Sequence, residues 1–226
     1  MSGSVNGPRR YDASRRRERA ARVRAEVIDS AARLFLSNGF VETTVAAIAN
    51  ASGVSEETIY KSFGSKAGLV RAIWARALEG EGDVPAERRS DTMQATEDDP
   101  RKIIQAWGAL IVEVAPRVAP ILLLIKRSAL SDPQLAELAA EVDEQRLARM
   151  EHNARTLHHR RHLRAGMTLH EARDILWTYS SPELFDLFVG KRGWSRERFA
   201  GFVTEQLIAA LLPAPQSGER SRAARE

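Results

Sequence analysis

The chain has no cysteine among its 226 residues, which excludes disulfides and thiolate chemistry and fits a reducing compartment. Aromatic residues make up only 6%. No apolar run approaches the ~20 residues that a membrane-spanning helix needs. The longest, Val118 to Ile125, is short and contains Pro120. The N-terminus is polar and basic with no hydrophobic segment behind it, unlike a secretory signal. A Gly-rich phosphate loop, a His-Glu-x-x-His pair and a Gly-x-Ser-x-Gly elbow are all missing, which argues against an enzyme. Strand patterns are missing too, because the β-branched residues are scattered among alanines and leucines. The expectation is an all-α, cytoplasmic protein without cofactor, metal or membrane partner.

What is present is ordinary in amount and uneven in placement. Hydrophobic residues make up 43% and charged residues 28%, enough for one large or two small domains with a real core. The net charge is only +4 with a pI of about 9.7. Yet arginines 9, 10, 15, 16, 17, 19, 22 and 24 crowd the start, opposed there only by Asp12 and Glu18. Residues 1–15 read as a flexible, solvated basic arm. Such an arm beside a DNA-binding corner can add phosphate contacts or enter the minor groove.

The most legible stretch is Thr43 to Lys66, TTVAAIANASGVSEETIYKSFGSK. Thr43 or Thr44 caps a first helix, Val45 to Ala51, with Ile48 and Ala49 on its apolar face. Ser52-Gly53 breaks it, since glycine reaches the left-handed region at little cost. Val54 plugs the angle, and Ser55 caps a second helix, Glu56 to Ser62. Two short helices joined in this way, with polar residues along the second, spell a helix-turn-helix over about 44–63.

The run from Arg22 to Leu69 resembles the DNA-binding domain of the tetracycline-repressor (TetR) family of bacterial transcription regulators. The resemblance is carried by AARLFLSNGF (Ala31 to Phe40), TTVAAIA (Thr43 to Ala49), GVS (Gly53 to Ser55) and TIYKSFGSKAGL (Thr58 to Leu69), in order and at matching spacing. With the second corner helix in the major groove, Ser55, Glu56, Glu57, Thr58 and Lys61 are candidates for reading bases. Tyr60 either holds the backbone or is a core aromatic under the next helix. The resemblance matches Thr44, Tyr60 and Lys66 to phosphate-contacting positions, and Thr43 joins them as a DNA-binding candidate. Lys66 also sits at a helix N-terminus, where amides and a cation can together receive a phosphate oxygen. Glu56 and Glu57 depart from the family, which often has Gly, Lys or Arg there. Either they point away from DNA, or one accepts a hydrogen bond from a cytosine amino group.

Around the corner, a first helix is expected from about Arg16 to Ser37, with Val23, Val27, Ala31, Leu34 and Phe35 as its stripe. Asn38-Gly39 ends it, and Phe40 folds back on the cap. A helix capped by Ser65 reaches about Leu78 and completes a DNA-binding domain over 16–80. Residues 81–99 read as a linker, and 100–212 as a helical domain for a ligand and for dimerisation. The prolines at 116 and 120 are expected to break its first helix. Asp132-Pro133 opens a long helix to about His159, roughly 40 Å at 1.5 Å per residue. Thr168 and Glu171 form a capping box, and Ser181-Pro182 restarts the helix that follows. Ser195 caps the last helix, and 213–226 read as a disordered tail. His158 and His162 stand at chelating spacing, but Arg155, Arg160, Arg161 and Arg164 around them disfavour a dication, so they read as a solvated basic helix end.

Two apolar sets in the second half have a functional reading and a plainer one, intrachain core. Leu184, Phe185, Phe188, Phe199, Phe202, Val203, Leu207 and Leu211 would suit a homodimer interface across a two-fold axis. Such a dimer would present two recognition helices to a near-palindromic operator in double-stranded DNA. Trp107, Leu110, Ile111, Ile121, Leu124, Met150 and Trp177 are candidate lining for a small-molecule effector pocket, which the family resemblance implies. With few charges among them, a mainly apolar effector is expected. The expected function is a ligand-responsive transcriptional repressor. The rival is a helical adaptor that binds protein and not DNA.

Overall fold

The computed structural model describes residues 8–79 and 84–214. They are helical throughout, with no strand among the described residues. The elements are α1 (Pro8–Asn38), α2 (Val45–Ser52), α3 (Glu56–Phe63), α4 (Lys66–Glu79), α5 (Ala86–Thr96), α6 (Pro100–Ser128), α7 (Pro133–His159), α8 (Leu169–Tyr179), α9 (Pro182–Phe185), a π-helical turn (Asp186–Lys191) and α10 (Arg196–Leu211). They fall into two compact units, Met1–Arg76 with Leu124–Ala136, and Ala77–Leu123 with Glu137–Glu226.

The first unit is built on α1. Val27, Ala31 and Phe35 are buried on its inner stripe. The helix ends where Gly39 takes φ +84 and donates its N–H to the Phe35 carbonyl. Phe40 then stacks on Phe35 with ring centroids 5.6 Å apart, the contact expected of a glycine-capped end. Ile48 and Ala49 of α2, Ile59 of α3, and Leu69, Val70, Ile73 and Trp74 of α4 complete the core. Arg76 of α4 donates to the Ala25 carbonyl and pairs with Asp29, fastening α4 to α1.

The second unit has its own core of Ile103, Trp107, Leu157, Leu176, Phe185, Phe199, Val203, Leu207 and Leu211. Thr168 and Glu171 form the reciprocal capping box at the start of α8. The hydrogen bonds from Thr168 hold the Glu171 carboxyl below its ordinary pKa. Gly108 of α6 lies so close to α10 that a Cβ there would sit 2.0 Å from the Thr204 hydroxyl.

Several sequence expectations are corrected. Helix α1 begins at Pro8, so residues 8–15 of the expected arm are helical, while 1–7 lie outside the described residues. Proline suits the first helical position, and no glycine or proline interrupts the chain from there to Asn38. The expected linker contains α5. Its buried residues are Ala86, Ser90 and Gln94, a helical stripe too small and polar for a hydrophobic pattern to reveal. Gln94 donates to Ser90 and to Asn153 of α7, so these buried groups answer one another.

Helix α6 also runs unbroken through Pro116 and Pro120. Each internal proline costs about 3 kcal/mol. Buried Ile103, Ile104 and Trp107 before them, and Ile121, Leu122 and Ile125 after them, each return roughly 1.5–3 kcal/mol. Unbroken, α6 is long and apolar enough to cross a membrane by length and composition. Its two ends pack through Ile103, Ile104 and Trp107 and through Ile121, Leu122 and Ile125, and its Glu113 is held by Arg89 and Arg117. The tail from residue 215 lies outside the described residues.

One glycine fixes the geometry of the corner. A Cβ on Gly68 would lie 1.9 Å from the Phe63 carbonyl oxygen, backbone that cannot step aside. Gly68→Ala is therefore expected to cost about 1–3 kcal/mol, the range for overpacking, measured as a lower midpoint in denaturant.

Candidate nucleic-acid interface

The two corner helices are set by their caps. Thr44 has extended backbone, and its hydroxyl oxygen accepts from the Ala47 N–H at 3.0 Å. Of the two threonines considered, Thr44 is thus the cap of α2. Gly53 closes α2 at φ +67, and Val54 N–H returns to the Ala49 carbonyl. Ser55 accepts from Thr58 N–H at 3.2 Å and starts α3. At the other end of α3, Arg24 of α1 donates to the Ser62 carbonyl at 3.1 Å, and its guanidinium lies 4.4 Å from the Phe63 ring centroid. A cation at that end complements the helix dipole. Nothing local in the sequence announces this contact, which spans 38 residues.

Within α3 the only buried residue is Ile59, at 1% exposure. Glu56, Glu57, Thr58, Tyr60, Lys61 and Ser62 are all exposed. A helix anchored by one aliphatic side chain, with its polar residues outward, has the form of a recognition helix. Tyr60 is 50% exposed, so its reading as a core aromatic is set aside. The Ser55 and Thr58 hydroxyls are 2.9 Å apart and engage each other. Glu56 and Glu57 occupy the first turn, where the dipole favours carboxylates.

Two of the candidates face inward. Thr43 is 1% exposed, and its hydroxyl donates to the Leu34 and Gly39 carbonyls. Lys66 sends its ammonium back to the carbonyls of Phe40, Val41 and Thr43, at 2.7, 3.4 and 3.1 Å, and over the Phe40 ring at 4.2 Å. Both side chains close the α1–α2 turn and are committed there. Position at a helix N-terminus suggested a phosphate ligand; the open carbonyls beyond it drew the lysine instead.

The candidate sets in the second unit divide as well. Phe185, Phe199, Val203, Leu207 and Leu211 are buried in that unit's own core, so they are not free for a partner. Leu184, Phe188 and Phe202 remain partly exposed. Leu187, not among the candidates, is 47% exposed. Among the proposed lining residues, Trp107 and Ile121 are buried, while Leu110, Ile111, Met150 and Trp177 are partly buried. Leu124 belongs to the first unit. An open groove of about 590 Å³ lies elsewhere in the second unit, along Arg164, Met167, Glu171, Asp174 and Ile175. Charged groups also stand nearer the apolar set than its composition suggested. Arg146 lies 4.3 Å from the Trp177 ring centroid, and burial lowers its pKa. Among the described residues no cluster of His, Asp and Glu could hold a metal.

This arrangement is that of a helix-turn-helix. Residues 27–73 match the family model described as bacterial regulatory proteins, tetR family. The regulator TtgR of Pseudomonas putida is 39% identical over 80 residues, which cover 31% of this chain and 38% of that protein. The chain thus spans less than half the length of the curated relatives it matches. Among solved structures, NalD of Pseudomonas aeruginosa, the secondary repressor of the MexAB-OprM multidrug efflux pump, superposes with a TM-score of 0.66 at 19% identity. The superposition covers 88% of this chain and 100% of NalD. SmeT in complex with triclosan gives 0.64 at 17% identity, over 86% of this chain and 98% of SmeT. The likeness to the TetR family thus lies in the N-terminal residues 27–73, and the overall fold is shared with these solved structures.

The engagement of Lys66 separates two roles experimentally. Lys66→Met is expected to lower unfolding stability by about 1–3 kcal/mol, as for hydrogen bonds from a charged donor. The salt dependence of duplex binding, measured alongside, is expected to be unchanged.

Proposed function

We propose that the chain is a cytoplasmic, DNA-binding transcriptional regulator that acts as a ligand-responsive repressor. The observation that carries this reading is α3, held by Ile59 and the Arg24 contact, with every other polar residue of its outer face exposed. Lys61 and the carboxylates of Glu56 and Glu57 are the groups placed to meet base edges, and Thr44 and Tyr60 those placed to meet phosphates. Thr44 uses its oxygen as a cap acceptor and keeps its hydroxyl proton for a phosphate. The family likeness and the repressor among the solved neighbours support the same reading. The helical adaptor is not favoured.

The working form is a homodimer on a near-palindromic operator, with Leu184, Leu187, Phe188 and Phe202 as the apolar surface the second unit offers to its copy. The effector is a small, mainly apolar molecule held around Trp107, Ile111, Met150 and Trp177. The solved complex of SmeT with triclosan supports a small-molecule effector. Release follows from linkage. An effector that binds the DNA-incompetent arrangement more tightly lowers operator affinity by the same free energy, typically about 1–3 kcal/mol.

Selection of bound duplexes from a random pool is expected to enrich an inverted repeat. A single-site preference would remove the dimer, and failure to retain any duplex in dilute salt would remove the regulator. On the enriched duplex, Tyr60→Phe is expected to weaken binding by about 0.5–1.5 kcal/mol, the net worth of one hydrogen bond. The loss should be equal for related and unrelated sequences in a gel-shift titration, with the melting temperature unchanged.

A further inference from the structure

Helix α6 changes character along its length. Near its start, buried Ile103, Ile104, Trp107 and Gly108 alternate with exposed Arg101, Lys102, Gln105 and Ala109, the pattern of a helix packed on one face. From Leu110 to Val118 every residue is instead half-buried, on all sides of the helix. Leu110, Ile111, Val112, Val114 and Val118 are thus neither solvated nor closely packed. Ile111 and Ala115 lean on the same core as Met150 of α7. Apolar surface withdrawn from water without being packed suits an apolar ligand.

Arg146 stands one turn before Met150 on α7, and its side chain is only 10% exposed. Its Nη1 donates to the Trp177 carbonyl at 2.7 Å and to the Ser180 hydroxyl at 3.0 Å, and its guanidinium lies over the Trp177 ring. That edge has a structural task, a cation at the C-terminal end of α8. The other edge is different. Its Nε and Nη2 are buried without a hydrogen-bond acceptor among the described residues. Asp143 lies 3.7 Å from Nη2, close enough for an ion pair and too far for a hydrogen bond. Burial lowers the pKa of Arg146 more than Asp143 and Glu183 raise it, so those carboxylates do not offset its desolvation.

We infer that the ligand of the second unit is an apolar molecule with one carboxylate, which docks on the Nε–Nη2 edge of Arg146 while its body covers the half-buried middle of α6. This deepens the effector reading above and rests on it. Two N–H donors side by side in one plane are the fork that a carboxylate engages bidentately. Shielding from water strengthens such bonds. The indole N–H of Trp177, the ring beneath that guanidinium, is likewise buried without an acceptor among the described residues. A singly charged head fits this place better than a phosphate dianion, because Asp143 and Glu183 act on the same guanidinium.

Octanoate, decanoate and phenylbutyrate are each titrated into the full chain beside their methyl esters and primary alcohols, read by tryptophan fluorescence and melting temperature. At least one acid is expected to bind about tenfold or more tightly than its own ester and alcohol, as charge-assisted hydrogen bonds imply. The straight-chain and aryl arms show which kind of body the middle of α6 takes. Arg146→Gln keeps an N–H donor for the Trp177 carbonyl and loses the charge. In that variant acid and ester are expected to bind within about twofold of each other. Should the variant not fold, the acid-to-ester ratio on wild type decides alone. Esters and alcohols that bind as tightly as the acids, or an acid preference that survives in Arg146→Gln, would overturn the inference and leave a neutral apolar effector standing. If no probe of either arm binds, the inference and the apolar site beneath it both fall, while the duplex selection still judges the DNA-binding reading by itself.

Discussion

The first unit depends on how the turn between α1 and α2 is closed. That turn leaves the carbonyls of Leu34, Gly39, Phe40, Val41 and Thr43 needing donors near a packed aromatic pair. Buried or half-buried carbonyls without partners are costly. Thr43 answers two of them with its hydroxyl, and Lys66 reaches back from the start of α4 to answer three. One ammonium thereby joins the end of α1 to the start of α4, the two helices between which α2 and α3 are threaded. Ser65 adds a link of its own, from α4 to Gln134. With its flanks fixed, α3 needs only Ile59 inside and can give the rest of its surface to a ligand.

The second unit solves a different problem. Its apolar core of α6, α8 and α10 is bordered by polar pairings that join α5, α6 and α7. Gln94 meets Asn153, Arg149 meets Asp91 at 2.7 Å, and Arg160 donates to the Gln94 carbonyl at 2.7 Å. Such groups are partly withdrawn from water, and removing one partner strands the other. They hold a helix whose own hydrophobicity would not. The same unit keeps the buried indole N–H groups of Trp107 and Trp177 without a hydrogen-bond acceptor among the described residues.

Sequence reading succeeded where the chain carries local punctuation. The glycines at 39 and 53, the caps at Thr44, Ser55, Thr168 and Ser195, and the proline at 133 act within a few residues of themselves. It failed where the deciding partner is remote or the stripe is polar. Helix α5 carries no hydrophobic signal because its buried face is Ala86, Ser90 and Gln94. The prolines of α6 signal a break because their cost is local, while the burial that outweighs it is spread along the helix. Within the candidate site, Glu56, Glu57, Thr58, Tyr60 and Lys61 fall on the exposed face as the corner pattern implies, whereas Thr43 and Lys66 turn inward.

The kind of fold, the corner and its outward residues are therefore properties of short stretches of chain, set by capping hydrogen bonds and helical periodicity that act over one or two turns. Which polar side chains remain available for a ligand is not. Thr43 and Thr44 are neighbours of identical chemistry, yet one is sealed beneath two carbonyls and the other faces solvent. The difference arises because the Leu34 and Gly39 carbonyls at the end of α1 come within reach of Thr43 and not of Thr44, an arrangement that exists once the helices have packed.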